Sequence, residues 1–288
     1  MRIAICLSGQ PRTWSKCVGT WESFIEKLNK KFDAETDIFF HAWDFNTEPH
    51  GVLAADGLVS TDVAPDYIRV KGKKITDEER DEIVRVLNPV DYVFDSEASS
   101  KSRIDEIYQW GRRMENEHGG ACLDWAGSQF YGVMRAAHLK KKYEIQNNFR
   151  YDMCFRFRFD LYLPEEQLDW FLETDVEVPK YNTFYSVHTS KDESQFPFHR
   201  MGDILWYADS VTFDRICDFY RWLPMIGRKS FLPNALIGTE HSLYFYSKML
   251  RMRVRALGAD PKIYRPSDYL EKKAQAGITS GLGGHELI

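Results

Sequence analysis

The sequence predicts an α/β protein, and three observations support this. An apolar run at residues 2–7 stops at a turn containing Gly and Pro, residues 8–12, and a helical pattern follows. Strand-like and helical patterns then alternate through the first half of the chain, where several strands end in polar residues. Hydrophobic residues make up 43% of the 288 residues, which predicts one large domain or two closely joined domains.

Two helices are predicted in the first hundred residues. Thr13 can cap the first. Apolar residues at helical spacing predict its buried face, formed by Val18, Trp21, Ile25 and Leu28. Thr76 and Glu79 form a capping box that opens the second helix. Its inward face is predicted to consist of Ile83, Val84 and Leu87, and residues 90–94 predict the strand that follows.

Polar residues end the predicted strand at residues 37–43, and Asp44 and Asn46 come directly after it. In open α/β sheets, ligands bind beyond the carboxyl ends of the strands. Arg12, in the turn after the first strand, and Asp44 are therefore candidate site residues by position. Ordinary turn chemistry is the alternative explanation for Asp44 and Asn46.

The middle of the chain is less regular. Residues 51–72 predict a loop with one strand near residues 67–70. Residues 96–120 predict a mobile surface segment or lid, with an ordinary solvated helix and loop as the alternative. A long helix is then predicted, with a buried face of Phe130, Val133, Met134 and Ala137. The three lysines at 140–142 are interpreted as a solvated face near the end of this helix.

A strand is predicted at residues 151–157, and its end is unusual. Arg156, Arg158 and Asp160 follow one another at two-residue spacing, so their side chains project from one face. Charges in such a position must be paired or must face a polar cleft. A structural ion pair and a functional site are both open interpretations, because ion-pair networks also gather charges.

The second half predicts further helices and strands. A short helix has Pro164 in its first turn, and residues 202–207 predict a strand. A helix capped by Asp209 or Ser210 is predicted to bury one side, formed by Phe213, Ile216, Cys217 and Tyr220. After a loop containing Pro224, Gly227 and Pro233, a last long helix is predicted to begin at Thr239. Residues 252–257 predict the final strand.

Composition disfavours several classes of protein. The net charge of -5 and the isoelectric point near 5.9 argue against a primary role in binding nucleic acid. The five cysteines include no C-x-x-C pair and predict free, reduced thiols. No apolar run is long enough to span a membrane, so we expect a soluble, cytoplasmic protein. The phosphate loop, the dinucleotide-binding glycine motif, the nucleophile elbow and the H-E-x-x-H zinc motif are all absent from the sequence.

Four short segments resemble GT-A glycosyltransferases, and more narrowly the glycosyltransferase-like proteins of bacterial polysaccharide clusters and large phages. They are residues 6–14, residues 37–44, residues 151–161 and residues 202–207. The resemblance implies a GT-A-like, Rossmann-like fold with a mixed, mostly parallel central sheet flanked by helices. It also implies transfer of a sugar from a nucleotide-sugar donor to a glycan or another hydroxyl acceptor.

GT-A enzymes hold Mg²⁺ or Mn²⁺ with a D-x-D motif at a strand end, and the metal bridges the donor diphosphate. In this chain the motif is replaced by Arg158–Phe159–Asp160, so a cation stands where the first acid is expected. The resemblance implies either that Asp160 is a single metal ligand or that Arg156 and Arg158 bind the diphosphate directly.

The resemblance assigns roles to other residues. The turn from Ser8 and Gly9 to Arg12 lines the nucleotide site, and Asp44 approaches the nucleoside. Further roles fall on Asp203, which holds the sugar hydroxyls of the donor, and on Glu240, which is the general base of an inverting transfer. A simpler explanation for Glu240 is its favourable position in the first turn of a helix. His199 and His241 are possible metal ligands or phosphate contacts, or polar surface histidines.

We expect residues 1–288 to form a single GT-A-like domain. Residues 1–160 would be its nucleotide-binding half and residues 161–288 its acceptor-side half. The alternative function is a non-catalytic nucleotide- or carbohydrate-binding protein derived from the same fold, because the first metal-binding acid is missing. A glycosyltransferase that modifies nucleic acid is a third possibility, which the net negative charge disfavours.

Overall fold

The computed structural model describes residues 1–46, 73–96, 123–187, 204–226, 239–258 and 262–263. Within these residues a seven-stranded sheet has the order β10 (Arg253–Leu257), β8 (Thr183–Val187), β9 (Trp206–Ala208), β6 (Met153–Arg158), β1 (Arg2–Gly9), β2 (Glu35–Trp43) and β5 (Asp91–Asp95). Six of the strands run in one direction, and β9 runs antiparallel to both of its neighbours. The predicted α/β class with a mixed, mostly parallel sheet is confirmed.

Not all of the described strands belong to this sheet. Two short antiparallel pairs lie outside it, β3 (Phe45–Asn46) with β4 (Lys73–Lys74) and β7 (Leu161–Tyr162) with β11 (Lys262–Ile263). Both proposed halves of the chain supply strands to the same sheet.

The helices are α1 (Trp14–Phe32), α2 (Asp77–Leu87), α3 (Leu123–Gln146), α4 (Glu165–Thr174), α5 (Ser210–Cys217), α6 (Phe219–Ile226) and α7 (Thr239–Met249). They cover both faces of the sheet. Alternate residues of β1 point to opposite sides, so that Ile3, Ile5 and Leu7 pack in the cluster formed with α1, α2 and α4. Ala4 and Cys6 pack in the cluster formed with α3, α5, α6 and α7.

Local signals in the sequence are mostly confirmed. Thr76 and Glu79 make the reciprocal hydrogen bonds of a capping box, and β5 and β10 lie within one residue of their predicted bounds. The buried face of α3 is the predicted one. Thr13 precedes α1 but makes no capping hydrogen bond. The four cysteines in the described residues are buried free thiols: Cys6, Cys17, Cys154 and Cys217.

Three predictions for the second half need correction. β9 begins only at Trp206, where pairing with β6 and β8 starts. Tyr220 lies on α6 rather than on the helix capped by Asp209, because that helix ends at Cys217. Pro224, predicted in a loop, lies within α6, whose apolar residues Phe219 and Leu223 are buried.

The lysine run on α3 is also not a uniformly solvated face. Lys141 and Lys142 are partly exposed, but the side chain of Lys140 is fully buried and lies 2.7 Å from Asp214 on α5. The prediction for Lys140 is therefore wrong. Its position faces the packed neighbour α5, and acidic partners there compensate its charge.

Two predicted segments lie outside the described residues: the strand near residues 67–70 and almost all of the segment at residues 96–120. Among the helices that the structure describes, none combines the length and apolarity needed to cross a membrane.

Candidate functional site

The order of the strands reverses at β1 and β6, which are neighbours in the sheet. From β1 the chain proceeds to β2 and β5 on one side, and it then returns to place β6 on the other side of β1. Such a reversal of strand order separates the connections at the carboxyl ends of the two central strands, and ligands bind there in open α/β sheets. At this end Ser8 of β1 lies opposite Arg158 of β6.

Three charged residues meet at this end of β1 and β6. The guanidinium of Arg158 donates from Nε to Oδ1 of Asp160 at 2.7 Å and from a terminal nitrogen to Oδ2 at 2.8 Å. Arg12, on the turn after β1, donates to the same Oδ2 at 3.4 Å. The Asp160 side chain is 5% exposed, while those of Arg12 and Arg158 are 17% and 20% exposed. We name these residues the arginine–aspartate cluster.

The turn between β1 and α1 delivers Arg12 to the cluster. Gly9 has a φ of 129°, in a region that side-chain-bearing residues rarely adopt. A Cβ added at Gly9 would meet no atom within 4 Å, so the backbone conformation rather than crowding favours glycine at this position. Ser8, just before the turn, is buried, and its Oγ has no hydrogen-bond partner among the described residues.

Arg156 lies deeper in the same strand than the cluster. Its side chain is almost completely buried, and it donates to the carbonyl oxygen of Ile204 at 2.6 Å. This hydrogen bond joins β6 to the segment that enters β9. The structure thus brings Arg12, Arg158 and Asp160 together, and it places Arg156 inside the protein.

Asp44 lies at the end of β2, on another part of the same sheet edge. Its carboxylate is 3.5 Å from Arg80 of α2, and its main chain bonds to Asp95 and Ile75. In the part of the chain that the structure describes, these contacts connect the end of β2 to β5, to the residue after β4 and to α2.

The two predicted catalytic acids cannot be located at the site. Asp203 lies outside the described residues, as does His199. Glu240 is the second residue of α7, but its side chain and that of His241 are outside the description. The roles assigned to them remain predictions.

The cluster does not fit a divalent cation. Mg²⁺ and Mn²⁺ need oxygen ligands at short distance, and Mg²⁺ is bound at about 2.0–2.1 Å. Both oxygens of Asp160 already accept hydrogen bonds from Arg158, and a metal ion beside them would lie next to two guanidinium cations. Elsewhere in the described ranges, no group of three or more His, Cys, Asp or Glu side chains is arranged to hold a metal ion.

A second polar cluster, at the ends of β2 and β5, was not selected from the sequence. Asp95 Oδ2 accepts a hydrogen bond from the Tyr131 hydroxyl at 3.1 Å. His41 Nε2 and Arg135 Nε each lie 3.3 Å from the same oxygen. The available signal was His41, a polar residue inside an apolar strand pattern, but nothing in the sequence indicated that Asp95 would be its partner.

The environment of this second cluster changes both pKa values. Burial lowers the pKa of His41 below its ordinary value, although Asp95 opposes this shift. The adjacent His41, with contributions from Arg135 and Tyr131, lowers the pKa of Asp95 to about 2, although burial opposes the shift. At neutral pH the cluster therefore contains a neutral imidazole and an ionised carboxylate.

The free energy of unfolding should consequently fall as the pH drops from 7 to 5. Unfolded His41 takes up a proton near its ordinary pKa of about 6.5, whereas buried His41 resists protonation. One such proton gives a slope of at most about 1.4 kcal/mol per pH unit. Urea unfolding at several pH values should show a shallower slope for His41→Gln than for the wild type.

His138→Gln is the matched control, because the His138 side chain is 37% exposed and that of His41 is fully buried. We expect the control to have a steeper slope than His41→Gln between pH 7 and 5, because it retains the buried His41. Equal slopes for His41→Gln and the wild type would contradict the prediction. Asp95 should add a separate loss of stability between about pH 4 and 2, as its carboxylate is protonated.

Comparisons with known proteins give only a distant likeness. No family model matches the chain, and no curated protein sequence matches it. Among solved structures, one similar chain is a glycosyltransferase involved in the glycosylation of the major capsid of PBCV-1, at 6% identity and a TM-score of 0.38. The alignment covers 89% of this chain and 82% of that one. Another is mouse xyloside xylosyltransferase 1 in its apo form, at 6% identity and a TM-score of 0.37, covering 89% of this chain and 85% of that one. At these values the likeness says nothing about activity.

Proposed function

We propose that this protein is a glycosyltransferase that moves a sugar from a nucleotide-sugar donor to a glycan or another hydroxyl acceptor. The observation that carries the proposal is the arginine–aspartate cluster at the carboxyl ends of β1 and β6. Two partly exposed guanidiniums converge there from two different elements. Guanidiniums recognise phosphate oxygens through paired hydrogen bonds, so the cluster suits a diphosphate. The sequence resemblance to GT-A enzymes supplies the choice of a sugar donor.

The proposed reaction assigns a task to each candidate residue. Arg12 and Arg158 hold the diphosphate and stabilise the charge that develops on the departing nucleoside diphosphate. The Ser8–Gly9 turn lines the nucleotide site, and Asp44 lies toward the nucleoside. Asp203 would hold the donor sugar. Glu240 would remove the acceptor hydroxyl proton while the acceptor oxygen attacks the anomeric carbon.

The proposal can be tested by thermal-shift measurements with nucleoside diphosphates and nucleotide sugars, followed by a transfer assay. A ligand that binds only the folded state raises the melting temperature, and at about 100 times its Kd it adds about 2.7 kcal/mol. Glu240→Gln should keep the donor-induced shift and lose about 10²–10⁴-fold in transfer rate. The proposal fails if no nucleotide raises the melting temperature and no donor is consumed.

A non-catalytic nucleotide- or carbohydrate-binding protein is the second candidate. This candidate is favoured because both oxygens of Asp160 accept hydrogen bonds from Arg158. The carboxylate then positions the guanidinium of Arg158. Binding of a nucleotide sugar without hydrolysis or transfer to any acceptor tested would support this candidate.

A further inference from the structure

We infer that the arginine–aspartate cluster binds the donor diphosphate without a divalent cation, and that Asp160 serves as an internal counter-anion that positions the two arginines. The identity of the ligand as a nucleotide-sugar diphosphate rests on the proposed function. The role of Asp160 rests on its contacts.

The geometry of Asp160 is that of an arginine partner. Its two oxygens face Arg158 side-on, at 2.7 and 2.8 Å, and one of them also receives Arg12 at 3.4 Å. A metal ion at these oxygens would have to share them with, or displace, the paired hydrogen bonds from Arg158. It would also have to overcome repulsion from two cations held close by.

The three side chains differ in their exposure to solvent. Asp160, the anion, is 5% exposed, and the cations Arg12 and Arg158 are 17% and 20% exposed. The three groups sum to one positive charge, and the two arginine side chains are more exposed than that of Asp160. An incoming diphosphate therefore meets positive charge, which is the task that a metal ion performs when acidic residues form the site.

Asp160 explains how two like charges are held together. Without the Asp160 oxygens, the guanidiniums of Arg12 and Arg158 would repel each other and lose the acceptor that holds them in a common orientation. The side-on pair fixes the Arg158 side chain, so less conformational entropy is lost when phosphate binds. Asp160 is thus a positioning residue. Its negative charge repels the ligand, which is also negative.

This role predicts that removal of the Asp160 charge will not prevent binding. Asp160→Asn keeps an oxygen that accepts from Arg158, and it raises the charge of the cluster from one to two. In the presence of EDTA, binding of UDP, GDP and pyrophosphate should be retained or strengthened by about 3-fold, with a steeper salt dependence. A metal ligand would behave in the opposite way, because its amide variant would lose metal-dependent binding.

The experiment is calorimetric titration of the full chain with UDP, GDP and pyrophosphate, in EDTA and in Mn²⁺. We expect wild-type affinity to be the same in both buffers, and Arg158→Gln to weaken binding at least 10-fold. Arg158→Lys keeps the charge but not the paired guanidinium donors, so its affinity should lie between those of the wild type and Arg158→Gln. This variant still tests the inference if Arg158→Gln does not fold. Arg255→Gln is the charge-matched control, since Arg255 is on β10 and pairs with Glu177.

Two results would overturn the inference: binding that requires Mn²⁺ and is lost in Asp160→Asn, or no binding of any probe in EDTA. The proposed function is judged by a different result, the transfer of sugar. Sugar transfer that occurs only with Mn²⁺ rejects the metal-free site and leaves the glycosyltransferase assignment intact. Binding in EDTA without hydrolysis or transfer to any acceptor tested supports the metal-free site and favours the non-catalytic candidate over the glycosyltransferase.

Discussion

Lys140→Met should destabilise the protein by about 3–5 kcal/mol, because it removes the cation from a fully buried ionic network. Lys140 Nζ lies 3.1 Å from Glu144, 2.7 Å from Asp214 and 2.6 Å from the Ser210 hydroxyl. The side chains of Lys140 and Glu144 have no exposed surface, and that of Asp214 is 10% exposed. Burial opposes the charge on Lys140, but the acidic groups around it raise its pKa above the ordinary value.

The size of the effect comes from the groups that remain. Glu144 would still accept from Arg150 and from the Tyr151 amide, but Asp214 would lose its closest cation. Methionine fills a similar volume, so the loss reports the uncompensated charge rather than a cavity. Urea unfolding followed by circular dichroism measures the change.

Lys141→Met is the matched control, one residue further along α3. Lys141 is 43% exposed and lies 3.7 Å from the same Asp214, so its loss should change stability by less than about 1 kcal/mol. Adding Asp214→Asn to Lys140→Met should restore part of the lost stability, because the unpaired carboxylate is then neutral. Similar values for the two lysine variants would show that the buried network contributes little.

The sequence was sufficient for features encoded by local pattern. The apolar run at residues 2–7 became β1, Thr76 and Glu79 became a capping box, and the 3.6-residue repeat of α3 identified its buried face. The wrong prediction for Lys140 has the same origin. A periodic pattern shows which side of a helix is apolar, but it cannot show that a neighbouring helix supplies carboxylates. The antiparallel direction of β9 likewise depends on pairing between residues far apart in the chain.

The candidate site could be predicted only in part, because the sequence pattern is local. Two-residue spacing placed Arg156, Arg158 and Asp160 on one face, but it carried no information about depth. The structure buries Arg156 against Ile204 and leaves Arg158 at the rim. Arg12 and Asp160 are 148 positions apart in the chain, and their meeting depends on the parallel register of β1 and β6.

Gly132→Ala should destabilise the protein by about 1–3 kcal/mol, although alanine is the better helix former. Gly132 lies within α3, directly over the ends of β1 and β2. A Cβ at this position would stand 2.9 Å from Nδ1 of His41 and 3.5 Å from Cβ of Ser8. The imidazole cannot move aside cheaply, because it is fully buried and packs edge-on against Trp43 and Tyr131.

The matched control is Gly19→Ala in α1. A Cβ at Gly19 would meet nothing within 4 Å, so the substitution should stabilise the protein by about 0.4–1 kcal/mol through the lower entropy of the unfolded chain. The two identical substitutions in helices should therefore have opposite signs in urea unfolding. Gly132→Ala with the stability of the wild type or greater would mean that α3 can move away from the sheet.

The position of Gly132 connects this stability effect with the candidate site. His41, Ser8 and Arg158 lie in register across β2, β1 and β6, and this row of residues ends at the arginine–aspartate cluster. An outward shift of α3 would remove packing that holds the row in place. We expect Gly132→Ala to weaken diphosphate binding in addition to lowering stability. Combining Gly132→Ala with His41→Ser, which makes room for the methyl group, should recover part of both losses. Recovery of stability without recovery of binding would separate the packing of α3 from the function of the cluster.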